Sequence, residues 1–196
     1  MNKLELAPEQ RMALSNPAAP IISFDEWEVK ELMLTWEKVD ALWEVVKQFR
    51  SIFSDITRDD KANFNRLLTS PEVYWLEAYK AGELKVLMYV QGLENSIDAA
   101  GHMVSLDRET QDKTRLVREI AKYLFANFPI NRLTAPTARM YFATCRLLQR
   151  AGFTEEGVKR QAFLLGGRWH DVVIYGLLRS EVSNELPTRQ DKDTES

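Results

Sequence analysis

The candidates for a proton-accepting group in this 196-residue chain are His102, His170 and a carboxylate such as Glu77. An imidazole has an unperturbed pKa near 6.5, which suits a general base that works at neutral pH. His102 is therefore the preferred catalytic base, ahead of His170. A lone histidine on a strand can equally be a hydrogen-bonded structural residue, and that alternative stays open for both positions.

Other kinds of site chemistry are not indicated by the sequence. Cys145 lies in an apolar helical pattern without an activating neighbour, which favours a structural thiol over a nucleophile. As the single cysteine, it excludes an intramolecular disulfide framework and a multi-cysteine zinc site, and it agrees with a reducing compartment. No metal-ligand spacing, nucleophile triad or glycine-rich nucleotide loop is visible, so we predict no metal site.

Charge and hydropathy limit the class of protein. The chain has 26 basic and 29 acidic residues, a formal charge of −3, and thus no electrostatic footprint for nucleic acid. It lacks an apolar run long enough for a membrane span, and its first residues, MNKLELAPEQ, lack the apolar core of a signal peptide. These features predict a cytoplasmic protein without a membrane or nucleic-acid partner.

Hydrophobic periodicity and turn signals locate the elements that must position the candidate residues. The order β-α-α-β-β-β-α-β-α-β-β predicts an α/β (α+β) fold. Trp27, Trp36 and Trp43 are expected to pack the first strand and helix together. Strands are predicted at 27–36, in two runs within 73–92, at 96–107, at 131–138, at 157–165 and at 171–179, and helices at 37–49, 58–70, 109–128 and 141–151.

The two ends of the chain differ in composition from its middle. Residues 1–24 are polar and contain three prolines, and residues 183–196 form a polar tail. We therefore predict an N-terminal arm at 1–24, a single domain at 25–182 and a C-terminal tail. Such an arm usually frays unless a partner orders it, so it is a candidate contact with a protein assembly partner.

The most patterned stretch is AGFTEEGVKRQAFLLGGRWHDVVIYGLLRSE, at 151–181. It closely resembles the C-terminal part of the GCN5-related N-acetyltransferase (GNAT) superfamily, in particular its ribosomal-protein alanine acetyltransferase-like branch. A match of this density over about 30 residues is far more specific than a three-residue motif. The residues on the family pattern are Gly152, Phe153, Glu156, Gly157, Arg160, Gly167, Asp171, Tyr175, Gly176, Leu177 and Glu181.

The resemblance implies both a fold and an activity. The expected GNAT fold has a mixed central sheet of about seven strands flanked by about four helices. The expected activity is acetyl-CoA-dependent N-acetylation of an amine, which would be a protein N-terminus, an amino acid or a small amine. Most of the motif builds the fold, through helix-ending and turn glycines, and it says little about turnover.

The family binds the coenzyme A pyrophosphate on a glycine-containing loop at the start of its central helix. The matching stretch here runs from Arg108 to Lys113, and it is degenerate: Gln111 and Lys113 replace the two small residues, and two carboxylates are added. Phosphate would then be bound by side chains. The resemblance thus gives Arg108, Gln111, Lys113 and Thr114 as cofactor-binding residues.

The helix after the next strand is the second place where the family contacts its cofactor. Counting back from the motif, Tyr141 takes the position of a common Asn and Thr144 that of a common Ser or Ala. Thr144 is therefore a candidate cofactor contact. Tyr141 is a candidate general acid for the leaving thiolate; packing at the helix start is its alternative role.

A second function class remains open at this point. The missing loop glycines and the proline-rich arm also suit a non-catalytic GNAT-fold module that binds or builds a larger assembly, for example a viral particle.

Overall fold

The structure, a computed structural model, describes residues 12–49, 53–94, 97–106 and 113–182. The predicted mixed α/β architecture is confirmed, and the sheet has eight strands. No helix in these ranges is long and apolar enough to cross a membrane. The strands are β1 (Ile22–Phe24), β2 (Trp27–Glu31), β3 (Val73–Lys80), β4 (Glu83–Gln91), β5 (Asp98–Ser105), β6 (Arg132–Ala138), β7 (Thr154–Leu165) and β8 (Arg168–Leu178). The helices are α1 (Trp36–Val46), α2 (Lys61–Leu68), α3 (Thr114–Asn127), α4 (Phe142–Arg150) and α5 (Arg179–Val182).

The first strand lies inside the segment predicted to be an arm. Ile22–Phe24 pair antiparallel with β2, so the boundary predicted at residue 24 falls within a β-hairpin. Further upstream, Leu14 is buried, and the Asn16 side chain donates a hydrogen bond of 2.7 Å to the carbonyl of Glu31. The described part of the arm is therefore packed on the domain. Residues 1–11 and the predicted tail at 183–196 lie outside the described ranges.

The strand predicted at 27–36 is shorter than its alternation suggested. It ends at Glu31, and α1 begins at Trp36 because Thr35 caps the helix, its hydroxyl accepting from the backbone N–H of Lys38 at 3.2 Å. Trp27 and Trp43 are buried as expected. The packing role predicted for Trp36 is wrong: this first helical residue points away from the core, and its side chain is 86% exposed.

The hydrophobic core lies on both faces of the sheet. On one face, Ile120 and Phe125 of α3 and Leu148 of α4 pack together. On the other, Leu42 of α1 and Phe64 of α2 form a second cluster. Because strand side chains alternate between faces, β3, β4 and β5 contribute to both clusters. The molecule thus has an α3/α4 face and an α1/α2 face.

The sheet opens between its two parallel strands, β5 and β6. The strand order is β1-β2-β3-β4-β5-β6-β8-β7, and β5 and β6 form its parallel pair. Their ladder joins Asp98–Ala100 to Arg132–Thr134 and goes no further, although both strands continue. The two strands therefore separate after Ala100 and Thr134 and leave a cleft through the sheet.

The motif at 151–181 builds the structure that it predicted. Gly152 follows α4 with a positive φ of 100°, and the Phe153 ring is buried in the core. Gly166 and Gly167, with φ of 61° and 70°, form the turn of the β7–β8 hairpin. These positive φ values are ones that glycine adopts without steric cost.

Alanine substitution of two motif glycines, Gly176 and Gly157, should have different effects on the free energy of unfolding. A Cβ on Gly176 would stand 2.6 Å from Arg132 Nη2 and also collide with Glu156, because the ion pair of these two side chains crosses β8 over Gly176. Gly157 has open space around its Cα and no positive φ. We expect Gly176→Ala to cost about 1 kcal/mol by displacing a partly exposed ion pair, and Gly157→Ala to be neutral or slightly stabilising. Denaturant unfolding of both variants checks this, and equal losses would contradict it.

Candidate active site

A cavity of about 760 Å³ occupies the cleft where β5 and β6 separate. It is lined by residues from both strands, including His102 and Val104 of β5 and Thr134 and Ala138 of β6. Side chains from both faces of the sheet reach it, so the cavity passes through the sheet. Such an opening can bring together two ligands that enter from opposite sides.

The α3/α4 side of the cavity is mostly apolar. Ile120 and Ala121 of α3 and Thr144 and Leu148 of α4 line it. The predicted cofactor contact Thr144 is thus on the cavity wall, half-buried. An extended, mostly uncharged chain is the ligand that suits this wall.

The predicted pyrophosphate loop is only partly described. Lys113 is buried at the position before α3, and Thr114 is the first residue of that helix; neither lines the cavity. Arg108 and Gln111 lie outside the described ranges. The cofactor roles of all four residues stay predictions.

His102 lies on the α1/α2 face of β5 and lines the cavity. Its ring stacks on Tyr89, with ring centroids 4.5 Å apart and an interplanar angle of 15°, and Tyr89 in turn packs on Trp75 at 4.7 Å. The three residues stand side by side on β5, β4 and β3. Burial lowers the pKa of His102, so the imidazole is neutral at neutral pH and can accept a proton.

Tyr141 reaches the same cavity from the start of α4. Its side chain does not cap the helix; its ring packs edge-to-face against Phe163 of β7, at a centroid distance of 6.0 Å. Burial raises the pKa of the Tyr141 phenol, so it holds its proton at neutral pH. The structure therefore brings the predicted base and the predicted acid, 39 positions apart in the sequence, to one cavity.

The other two base candidates lie elsewhere. Glu77 on β3 is fully buried in an ion pair with Lys38 of α1, with Nζ and Oε1 2.8 Å apart, and it does not line the cavity. Burial raises the pKa of this carboxyl, and Lys38 opposes that shift. His170 pairs with Phe163 in the β7–β8 hairpin and is also absent from the cavity wall. Of the three candidates, His102 is thus the one that lines the cavity.

A hydrogen-bonded clasp, which sequence reasoning missed, ties the loop after α1 to the β7–β8 hairpin beside the cavity. In the loop after α1, the Asp55 carboxylate accepts from the backbone N–H of Gly167 at 2.7 Å, and the Asp55 N–H donates to the carbonyl of Leu164 at 2.8 Å. The Gly167 N–H lowers the pKa of the Asp55 carboxyl. Phe53 and Thr57 of the same loop line the cavity. The Gly-Gly turn thus also serves as a donor that holds this loop.

The aromatic row of Trp75, Tyr89 and His102 was also not identified from the sequence. A partial signal for it exists, because the two runs on either side of the Ala81–Gly82 turn read as strands and carry Trp75 and Tyr89. Alternation shows which residues share a face, but the register that places Trp75 beside Tyr89 comes from strand pairing.

Solved structures of acetyltransferases share this architecture. Spermidine N-acetyltransferase from Vibrio cholerae, in complex with CoA and spermine, has a TM-score of 0.68 at 16% identity, over 81% of this chain and 99% of that one. A ribosomal L7/L12 alpha-N-protein acetyltransferase in complex with coenzyme A has a TM-score of 0.67 at 16% identity, over 81% and 97%. No protein-family model and no curated protein matches the sequence. These superpositions cover most of the chain, and the chain has the fold of the GCN5-related N-acetyltransferases.

Proposed function

We propose that this protein is an acetyl-CoA-dependent N-acetyltransferase that acts on a primary amine. The observation that carries the proposal is the cavity between the separated strands β5 and β6, with a neutral His102 and a protonated Tyr141 on its wall. The similar solved proteins include acetyltransferases whose complexes contain coenzyme A. Their fold supports the proposal, and the chemistry is argued from the residues of this chain.

The residues present fit the thioester arm of acetyl-CoA. The ladder between β5 and β6 stops after Ala100 and Thr134, which leaves room between the strands, and Thr144 on α4 offers a hydroxyl beside that opening. Arg108 and Lys113 are the side chains that we propose for the phosphates. When bound, acetyl-CoA supplies an acetyl carbon that the amine attacks, while the carbon–sulfur bond breaks and a thiol is released.

The residues of the chain supply the proton transfers. An amine is protonated at neutral pH and must lose a proton before its nitrogen can attack. His102 Nδ1 or Nε2 accepts that proton, because burial keeps the ring neutral. Tyr141 holds a phenolic proton on the same cavity wall, where a leaving thiolate can take it. The ammonium group loses two protons in becoming an amide, one before the attack and one after it; one balances the proton gained at sulfur and the other is released to solvent.

The proposal is tested by incubating the protein with acetyl-CoA and a panel of primary amines, following both thiol release and the acetylated amine by mass spectrometry. We expect amine-dependent thiol release with an equal amount of amide. Binding of acetyl-CoA without transfer to any amine would contradict the enzyme and favour the non-catalytic module. Replacing both Arg108 and Lys113 with alanine should weaken acetyl-CoA binding; unchanged binding would refute the placement of the phosphate contacts.

The Asp55 clasp yields a prediction about the acceptor end of the cavity. Asp55→Ala removes the bond to Gly167 but keeps the backbone bond to Leu164, so it loosens the loop that carries Phe53 and Thr57. We expect the KM for the amine to rise by roughly 3- to 10-fold, because one charge-assisted hydrogen bond no longer orders the loop. The KM for acetyl-CoA should stay within about twofold, since α3 and α4 are untouched. Steady-state kinetics with each substrate varied separately measures both, and a larger change for acetyl-CoA would contradict this assignment.

A further inference from the structure

We propose that the acceptor is a primary amine with an apolar, uncharged body, such as an arylalkylamine, and is neither a polyamine nor a free amino acid. The inference rests on the proposed function, because it concerns the second substrate of the same cavity. It rests on the small number of charged residues that line the cavity and on the aromatic rings of its α1/α2 side.

The described residues of the cavity wall carry almost no charge. Among the lining residues that the structure describes, Asp60 is the carboxylate and there is no lysine or arginine. Asp60 is exposed, and its Oδ1 already caps α2 by accepting from the backbone N–H of Asn63 at 2.8 Å. A polyamine, which brings several ammonium groups, would find one exposed carboxylate among these residues, and the carboxylate of an amino acid would find no cation among them. Desolvating an unpaired charge is strongly unfavourable.

Aromatic rings line the α1/α2 side of the cavity. Trp75, Tyr89 and His102 form a continuous row of ring contacts on the α1/α2 face, tilted between Trp75 and Tyr89 and stacked between Tyr89 and His102. Phe53 and Phe163 also line the cavity. Such walls bind an apolar or aromatic body by burying its surface, and ring faces also attract a single ammonium group. The row ends at His102, the proposed base, so an acceptor packed along it would present its one amine to that imidazole.

Three acceptors provide the test: 2-phenylethylamine; phenylalanine, which adds a carboxylate to the same body; and spermidine, which has no ring and carries several ammonium groups. With acetyl-CoA saturating, we expect kcat/KM for 2-phenylethylamine to exceed that for each of the others by about 100-fold or more. Equal or better use of phenylalanine or spermidine would overturn the inference while leaving the transferase intact. Failure of acetyl-CoA to bind at all would instead overturn the proposed function.

The cavity wall itself can be tested with one matched pair of variants on β7. Phe163→Asp adds a carboxylate to the cavity; it should lower kcat/KM for 2-phenylethylamine by about 10-fold or more and narrow its advantage over spermidine. Val158→Asp adds the same charge on the same strand at an exposed position that does not line the cavity, and it should leave both values unchanged. Equal effects of the two substitutions would overturn the inference. Competition of octanoyl-CoA with 2-phenylethylamine would also overturn the inference, because the apolar end of the cavity would then bind an acyl chain instead of the acceptor.

Discussion

Replacing His102 with glutamine should lower kcat/KM for amine acetylation by about 10²- to 10⁴-fold at neutral pH, the usual contribution of a positioned general base. The imidazole lines the cavity, stacks on Tyr89 and is kept neutral by burial. Glutamine fills similar space and keeps a polar group, but it cannot accept the proton. Acetyl-CoA binding should persist, because the α3/α4 side of the cavity is unchanged.

The pH profile separates this catalytic role from a structural one. The pKa of His102 is lowered from 6.5, so wild-type kcat/KM should rise with pH through a limb centred below 6.5, and this limb should be absent in His102→Gln. Folding also opposes protonation of His102, so the free energy of unfolding should increase over the same rise in pH. His170→Gln is the matched control, because His170 lies off the cavity, and it should keep both rate and limb. A His102→Gln enzyme that retains the limb would contradict the assignment.

Replacing Lys38 with methionine should lower the free energy of unfolding by about 3 to 5 kcal/mol, the usual cost of leaving a buried charge unpaired. Lys38 Nζ lies 2.8 Å from both Glu77 oxygens, and both side chains are almost completely buried. Without Lys38, the Glu77 carboxylate keeps a hydrogen bond from Asn16 at 2.6 Å but loses its cation. At about 2 to 4 °C per kcal/mol for a chain of this size, the midpoint should fall by roughly 6 to 20 °C.

Two further measurements identify the cause of that loss. The double variant Lys38→Met/Glu77→Leu removes both charges, and it should recover most of the lost stability. In the single variant, burial raises the pKa of Glu77 without a cation to oppose it, so the folded state takes up a proton more readily than the unfolded one. Its deficit relative to the wild type should therefore shrink as the pH is lowered toward 5. A deficit under about 1 kcal/mol, or one independent of pH, would contradict the buried ion pair as a major stabilising element.

Much of the fold was predictable because its turns and strands are marked by local chemistry. Gly152 and the Gly166–Gly167 turn adopt the positive φ values that glycine favours, and the Ala81–Gly82 turn joins two aromatic, β-branched runs. The short strand at Ile22–Phe24 was not predictable, since three residues give no periodicity and its pairing with β2 decides its conformation. The shortening of β2 follows from the Thr35 cap, a local signal that competed with strand-like alternation.

The candidate site was predictable only in part, because long-range register and burial decide most of it. His102, Tyr141 and Thr144 line one cavity; the family resemblance pointed to Tyr141 and Thr144, and the ordinary pKa of an imidazole pointed to His102. Glu77 is chemically suited to be a base, but only the packed structure shows that its carboxylate forms a buried ion pair with Lys38. The Asp55 clasp joins residues 112 positions apart, which no local pattern records.

The central claim, that the cleft between β5 and β6 receives acetyl-CoA beside Thr144, is tested most directly by thermal unfolding with and without the ligand. At about 1 mM acetyl-CoA, roughly 100 times a Kd of about 10 μM, the free energy of unfolding of the wild type should increase by about 2.7 kcal/mol. This corresponds to a rise of about 5 to 11 °C in the unfolding midpoint. Thr144→Trp should fill the cleft and abolish the rise. Gln149→Trp, on the exposed side of the same helix and off the cavity, should keep it. No rise in the wild type, or an undiminished rise in Thr144→Trp, would contradict the account.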